Sequence, residues 1–273
     1  AHYLANALVD RGHDVTMFTV SPWYSECRYQ VHQYSLPKAL RKFKAFAFAM
    51  YLSKTDFSQF DVVHSHGDNY LLRRCHPQIR TFHGSAQDEA QSAVRLRRQI
   101  YQSVTNYLEQ ISTGVADINV GVSQATQQRI PAVSQIIPCG VDTTKFFPGA
   151  KTQYPTILFV GTTGGRKRGS FLADIFVREV RSHFPNAELW SVAEQPMHGE
   201  GIVNFGRISL EQLCDLYRRA WVFCLPSTYE GFGVPYIEAM ASGTPVVATS
   251  NPGACEILNN GQYGVISPDY DLG

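Results

Sequence analysis

The chain of 273 residues is 44% hydrophobic and 17% charged, a balance that supports one large or two ordinary buried cores and excludes a disordered or fibrous polypeptide. Net charge is +1, with 15 basic against 11 acidic residues up to position 150 and 9 against 12 after it; this asymmetry is too small to point to nucleic acid. Six scattered cysteines without a Cys-x-x-Cys pair, no leader pattern and no continuous apolar span argue against a disulfide scaffold, a zinc module or a membrane-spanning chain, and for a reduced, cytoplasmic setting.

Tyr3, Leu4, Ala7 and Leu8 give residues 1–10 the spacing of an amphipathic helix. Gly12 closes it, and residues 14–20 read as a buried strand. A helix feeding a strand is half of a repeating α/β unit, so the strand expected before it is missing, and the chain reads as truncated at both ends. Residues 21–37 are expected to be irregular. Residues 38–52 are expected to form a helix that mixes four basic residues with Phe43, Phe46 and Phe48. The width of its aromatic face favours packing on a core; the alternative is a peripheral contact with the inner face of a membrane.

Residues 61–67 form a strand pattern with His64 and His66 on one face, but no carboxylate-bearing ligand set accompanies them, so no metal is expected. Residues 78–84 form another strand, tipped by His83. Ligands of open parallel sheets sit beyond the carboxyl ends of the strands, which makes His83 a candidate site residue rather than only a turn histidine. A long helix over 88–113, a strand over 116–122, a helix capped by Ser123 and a linker over 143–155 complete the first part.

The alternation restarts with a strand over 156–160. Gly161-Thr-Thr-Gly-Gly-Arg166-Lys167-Arg168-Gly169 follows: a glycine-rich loop with three cations, suited to a polyphosphate yet unlike a Walker A element, since no Lys-Ser/Thr follows its glycines. A helix over 170–183, strands over 188–192 and 202–206 and a helix capped by Ser209 come next. The turn near Phe205 is a candidate seat for a nucleobase.

The most informative stretch is residues 226–245. Strand 221–225 enters it, Gly231-Phe232-Gly233-Val234 makes a tight turn, Pro235 stands where a helix starts, and Gly243 stands where it ends. A glycine loop at a helix N-terminus is an anion site, with free backbone N–H groups backed by the helix dipole. Glu230 and Glu238 flank it. Two carboxylates beside a phosphate repel it unless they accept hydrogen bonds from hydroxyls of the same ligand, and a phosphate with hydroxyls on both sides describes a sugar nucleotide. The bland alternative is an ordinary helix start with solvated glutamates.

These residues carry a family resemblance. The ordered set Arg11-Gly12-His13-Asp14-Val15, Asp61-Val62-Val63-His64-Ser65-His66-Gly67, Thr81-Phe82-His83-Gly84, Ile137-Pro138-Cys139-Gly140-Val141-Asp142, Val160 to Gly169, and Leu216 to Thr249 with Glu230-x7-Glu238 resembles the retaining nucleotide-sugar glycosyltransferases of family 4. The resemblance implies an α/β protein of GT-B architecture, with two facing Rossmann-like domains and parallel sheets: an acceptor-side domain over 1–148 lacking its first strand, and a nucleotide-sugar-binding domain over 149–273 lacking its terminal helices. It implies transfer of a hexose from a nucleotide-diphosphate donor to a glycan, lipid-linked or small-molecule acceptor, as in cell-surface polysaccharide synthesis, with neither cofactor nor metal. Glu230 and His83 would face the donor sugar, Glu238 the ribose, and Gly231 to Val234 the diphosphate, beside Gly161. Thr162 takes the place of the family's arginine, so Arg166, Lys167 and Arg168 share the phosphate role. A nucleotide-sugar epimerase of the same architecture and a non-catalytic sugar-nucleotide-binding protein are the alternatives.

Overall fold

The computed structural model of the chain describes residues 1–22, 26–67, 69–72, 75, 77–91 and 96–268. Contacts divide it into two compact units, one of residues 1–82, 105–120 and 132–135, the other of 83–104, 121–131 and 136–273.

The chain begins with α1 (His2–Asp10), closed by Gly12 at φ +86, a backbone conformation that favours glycine. β1 (Thr16–Thr19) runs parallel to β2 (Gln30–Gln33), with Thr16 opposite Gln30. That second strand lies in the stretch expected to be irregular. Gln30, His32 and Gln33 are exposed, so the alternation that marks a half-buried strand is missing, and pairing with β1 alone defines it. The expected helix over 38–52 is also divided, into a 3-10 segment (Lys38–Phe43) and α2 (Lys44–Leu52). Ala47, Ala49 and Leu52 are buried and Phe48 packs partly buried against the core, whereas Leu40, Phe43 and Met50 are exposed.

β3 (Val63–Ser65) pairs in parallel with β4 (Gln78–Phe82). The expected helix over 88–113 starts earlier, as α3 (Ala86–Gln91) and then α4 (Leu96–Thr113); residues 92–95 of that expectation lie outside the described residues. β5 (Ile118–Gly121), α5 (Gln124–Arg129) and β6 (Gln135–Ile136) follow, and the strands form a sheet of order β3-β4-β5-β6. The wholly buried Gln78 is satisfied at every polar atom. Its side-chain nitrogen donates to the Leu72 and Cys75 carbonyls, its side-chain oxygen accepts from Asn69, and its N–H donates to Asp117.

The second unit carries the larger sheet. β7 (Thr156–Val160) leads through a 3-10 turn (Gly165–Lys167) to α6 (Gly169–Ile175), which continues as a π-helical turn (Phe176–Val180) into α7 (Arg181–His183). β8 (Glu188–Val192), β9 (Ile202–Asn204), α8 (Leu210–Arg219), β10 (Val222–Leu225), α9 (Val234–Ala241), β11 (Val246–Thr249), α10 (Pro252–Ile257) and β12 (Val265–Ser267) follow. Ser209 and Gln212 close a capping box at the start of α8. All pairings are parallel, in the order β12-β11-β10-β7-β8-β9. Leu158, Phe159, Leu189, Phe223, Leu225 and Tyr236 are wholly buried between sheet and helices, the two-sided burial that makes parallel strands read as apolar runs.

The order places the site. From β7 the chain moves to β8 and β9 on one side, and from β10 to β11 and β12 on the other. The loops after β7 and β10 therefore diverge at the switch point of the sheet, where open α/β sheets have their ligand crevice. Those are the basic loop and the Glu230 loop.

Candidate active site

The two loops are tied together from the backbone upward. The Thr228 N–H donates to the Arg166 carbonyl at 2.9 Å. Arg166 Nη1 then donates to the Tyr229 carbonyl at 2.7 Å and to Glu230 Oε1 at 2.8 Å, and Lys167 Nζ reaches the same oxygen at 2.6 Å. Glu230 is 5% exposed. Burial pulls the Lys167 ammonium below its ordinary value, and the Glu230 carboxylate opposes that pull. Gly161 leaves room for the lysine stem: a Cβ there would lie 3.2 Å from the Phe159 ring and 3.3 Å from Lys167 Cβ.

The glycines after Glu230 answer two different constraints. A Cβ on Gly231 would lie 2.4 Å from the His83 carbonyl oxygen and 2.7 Å from Gly84 Cα, a backbone-on-backbone approach open to no other residue. Gly233 caps α9 at φ +102, and the Tyr236 ring packs where its side chain would be. At the start of α9, where the helix dipole is positive, Pro235 has no N–H and the Tyr236 N–H donates to the Gly233 carbonyl at 2.9 Å, which leaves Val234 as the first helical donor. Phe232 is buried and Val234 half-buried.

Glu238, one turn into α9, meets different surroundings. Its Oε2 accepts a hydrogen bond from the Tyr217 hydroxyl at 3.1 Å. Burial pushes its carboxyl up to about 7, with the Tyr217 bond and the Lys167 charge pulling the other way.

The structure thus joins Glu230, Arg166, Lys167 and Gly161 in one cluster and sets Gly231 against the His83 backbone. The His83 ring is exposed. Arg168 takes a left-handed conformation at φ 54, with its guanidinium 5.7 Å from the Phe171 ring centre. Phe205, after β9, packs edge-on to Trp190 at 5.9 Å and is 36% exposed.

Sequence reasoning missed four supporting groups. The Tyr229 hydroxyl accepts from the Ser85 N–H at 2.8 Å; Ser123, expected only as a helix cap, also donates to the Gly231 carbonyl at 2.7 Å; Glu256 accepts from the Gln124 and Ala125 N–H groups; and Gly253 lies flat against the Glu230 loop, its N–H donating to the Glu230 carbonyl at 3.0 Å. Asn251-Pro252-Gly253 is a readable helix-start signal. Among the described residues no three His, Cys, Asp or Glu side chains gather as a metal site; His64 and His66 stack on each other, and His64 bonds Thr81. No helix among those residues is long and apolar enough to cross a membrane.

Parallel α/β sheets, the larger with two glutamates at its switch point, are of the GT-B class of fold. Residues 1–145 match the family model of Glycosyltransferase Family 4 and residues 154–272 that of Glycosyl transferases group 1, and the chain belongs to glycosyltransferase family 4. It is 30% identical over 148 residues to a probable sucrose-phosphate synthase of Thermosipho melanesiensis, covering 47% of this chain and 35% of that protein. Among solved structures, sucrose-phosphate synthase from Thermosynechococcus elongatus superposes with a TM-score of 0.76 at 23% identity, over 98% of this chain and 79% of that one. Anabaena Alr3699/HepE in complex with UDP and glucose gives 0.61 at 14% identity, over 88% and 73%. These structural likenesses speak to the fold. The chain spans 35% and 39% of the length of two of the curated relatives that it matches.

Proposed function

We propose that this protein transfers a hexose from a nucleotide-diphosphate sugar to an acceptor hydroxyl with retention of anomeric configuration. The observation that carries the reading is the convergence of Arg166 and Lys167 on one oxygen of Glu230, in the loop that leads into the start of α9. Two cations already held within 3 Å of a single oxyanion are set to take phosphate oxygens. HepE, a protein of similar fold solved in complex with UDP and glucose, supports the reading.

In the reaction the bond from the anomeric carbon to the diphosphate breaks and the bond to the acceptor oxygen forms. The cost is charge on the departing phosphate. Arg166, Lys167 and the amides of residues 231–234 are fixed before the reaction begins, so they stabilise that charge without reorganising. A departing phosphate oxygen on the same face takes the acceptor proton, which balances the step and gives retention without a covalent intermediate. Glu230 and His83 orient the donor sugar, Glu238 accepts from the ribose hydroxyls, and Phe205 borders the base. Cationic side chains supply the neutralisation a divalent ion would give, so transfer is taken as independent of metal and cofactor.

In this reading residues 1–148 serve the acceptor and 149–273 the donor. The acceptor is a glycan, lipid-linked or small hydroxyl compound, as in cell-surface polysaccharide synthesis at the cytoplasmic side of a membrane. Leu40, Phe43 and Met50, exposed among lysines in 38–52, suit a peripheral lipid contact.

The test is incubation of the full-length protein with labelled UDP-, GDP- and ADP-sugars and an acceptor panel in chelator. The expected product is a new glycoside with the donor's anomeric configuration, read from its NMR coupling constant. Epimerised donor, or binding without transfer, overturns the proposal.

A further inference from the structure

Tyr217 belongs to α8, which no expectation from sequence connected with the ligand. Its ring is wholly buried among Phe146, Phe223 and the α9 helix, and its hydroxyl has one role, donating to Glu238 Oε2 at 3.1 Å. The backbone around it is also fixed: the Thr244 hydroxyl donates to the Tyr217 carbonyl, and Lys151 Nζ donates to the Thr244 hydroxyl at 2.6 Å. Glu238 thus has one oxygen committed inward to a donor that cannot turn away, and its Oε1 has no partner among the described residues.

We propose that Tyr217 is a positioning residue for sugar-nucleotide binding: it locks the Glu238 carboxylate in one rotamer, so that a single oxygen, Oε1, is presented to vicinal hydroxyls of the ligand. The proposal rests on the reading of Glu238 as a hydroxyl ligand given above. A carboxylate free to rotate must lose that freedom when ligand binds, and each immobilised side chain of this type weakens association. Tyr217 removes the rotation beforehand.

The surroundings fix which way the proton lies. Glu238 faces the Tyr217 phenol and the Cys214 thiol from α8 and the Lys167 ammonium from the basic turn. Burial drives Tyr217 far above the ordinary phenol value, so its hydroxyl remains a donor at every working pH and favours the carboxylate over the acid.

The test measures UDP, GDP and ADP binding by calorimetry between pH 6 and 8.5 for the full-length protein and three variants: Tyr217→Phe, Glu238→Gln and the double variant. Thermal unfolding verifies that each is folded. For the nucleotide that binds, Glu238→Gln should weaken affinity, Tyr217→Phe should weaken it on the order of tenfold, and the double variant should match Glu238→Gln, because the phenol acts only through the glutamate. Tyr217→Phe should also move the pH midpoint of binding upward, since the group that favours ionised Glu238 is gone. If Glu238→Gln binds as well as the parent, the ribose reading fails and this proposal falls with it. If Glu238→Gln weakens binding but Tyr217→Phe changes neither affinity nor midpoint, or if the two losses add, the positioning role alone is overturned. Should Tyr217→Phe be too unstable for calorimetry at room temperature, the same titrations in the cold, below its unfolding transition, decide by the same outcomes.

Discussion

Glu230 and Glu238 come from one motif, yet the two ends of that motif solve opposite problems. At the loop end Glu230 is buried as a carboxylate because two cations meet it; at the helix end Glu238 is buried against a neutral phenol, and its proton is held up to about 7. One acid is a counter-ion and the other is a hydrogen-bonding group. Spacing in sequence sets where carboxylates lie, and packing sets what they do.

Substitution at the two ends should separate them. Glu230→Ala strands the Lys167 ammonium without its partner and should lower stability by about 3 kcal/mol, whereas Glu238→Ala should lower it by about 1 kcal/mol or less; equal losses in denaturant titration would erase the distinction. Gly231→Ala drives a methyl group into the His83 backbone and should remove about 2 kcal/mol together with most nucleotide affinity, and unaltered affinity would show that the close approach is incidental.

The pH dependence has a definite sign. Because Glu238 holds its proton more tightly folded than unfolded, stability from this group is full below about 4.5, falls as pH rises toward about 7, and is level above that; the change is of order 2 kcal/mol after allowance for partial exposure. Glu238→Gln should flatten the slope in that window, and an unchanged slope would assign the titration elsewhere. The smallest effect belongs to the third cation. Arg166→Ala should weaken nucleoside diphosphate binding about tenfold, but Arg168→Ala less than about threefold, both by calorimetry; equal losses would return Arg168 to the cluster.

Much of this site was legible because its signals are local. Apolar runs marked β7, β8 and β10, glycines marked turns whose φ or close approach excludes a side chain, and seven residues lie between the glutamates whatever surrounds them. What escaped depends on partners brought together by folding. Tyr217 meets Glu238 across 21 residues, Ser85 meets Tyr229 across 144, and Gln124 meets Glu256 across 132, and nothing near Tyr229 or Glu256 distinguishes a loop-holding group from a solvated one. β2 escaped for the converse reason: its pairing is real but its residues are polar. The basic loop was read as three equivalent cations, and only the left-handed turn at Arg168 separates it from its neighbours.

The strand order has a consequence for how the polypeptide reaches this state. β7, β8 and β9 can associate as they leave the ribosome, but the open edge of β7 waits for β10, with Ile157 finally opposite Val222. Until then this apolar strand shows bare amides and carbonyls to solvent, an invitation to misassembly. Because so distant a pairing closes slowly, a nascent chain halted before residue 222 should need chaperones to stay soluble, while one released after β11 should not.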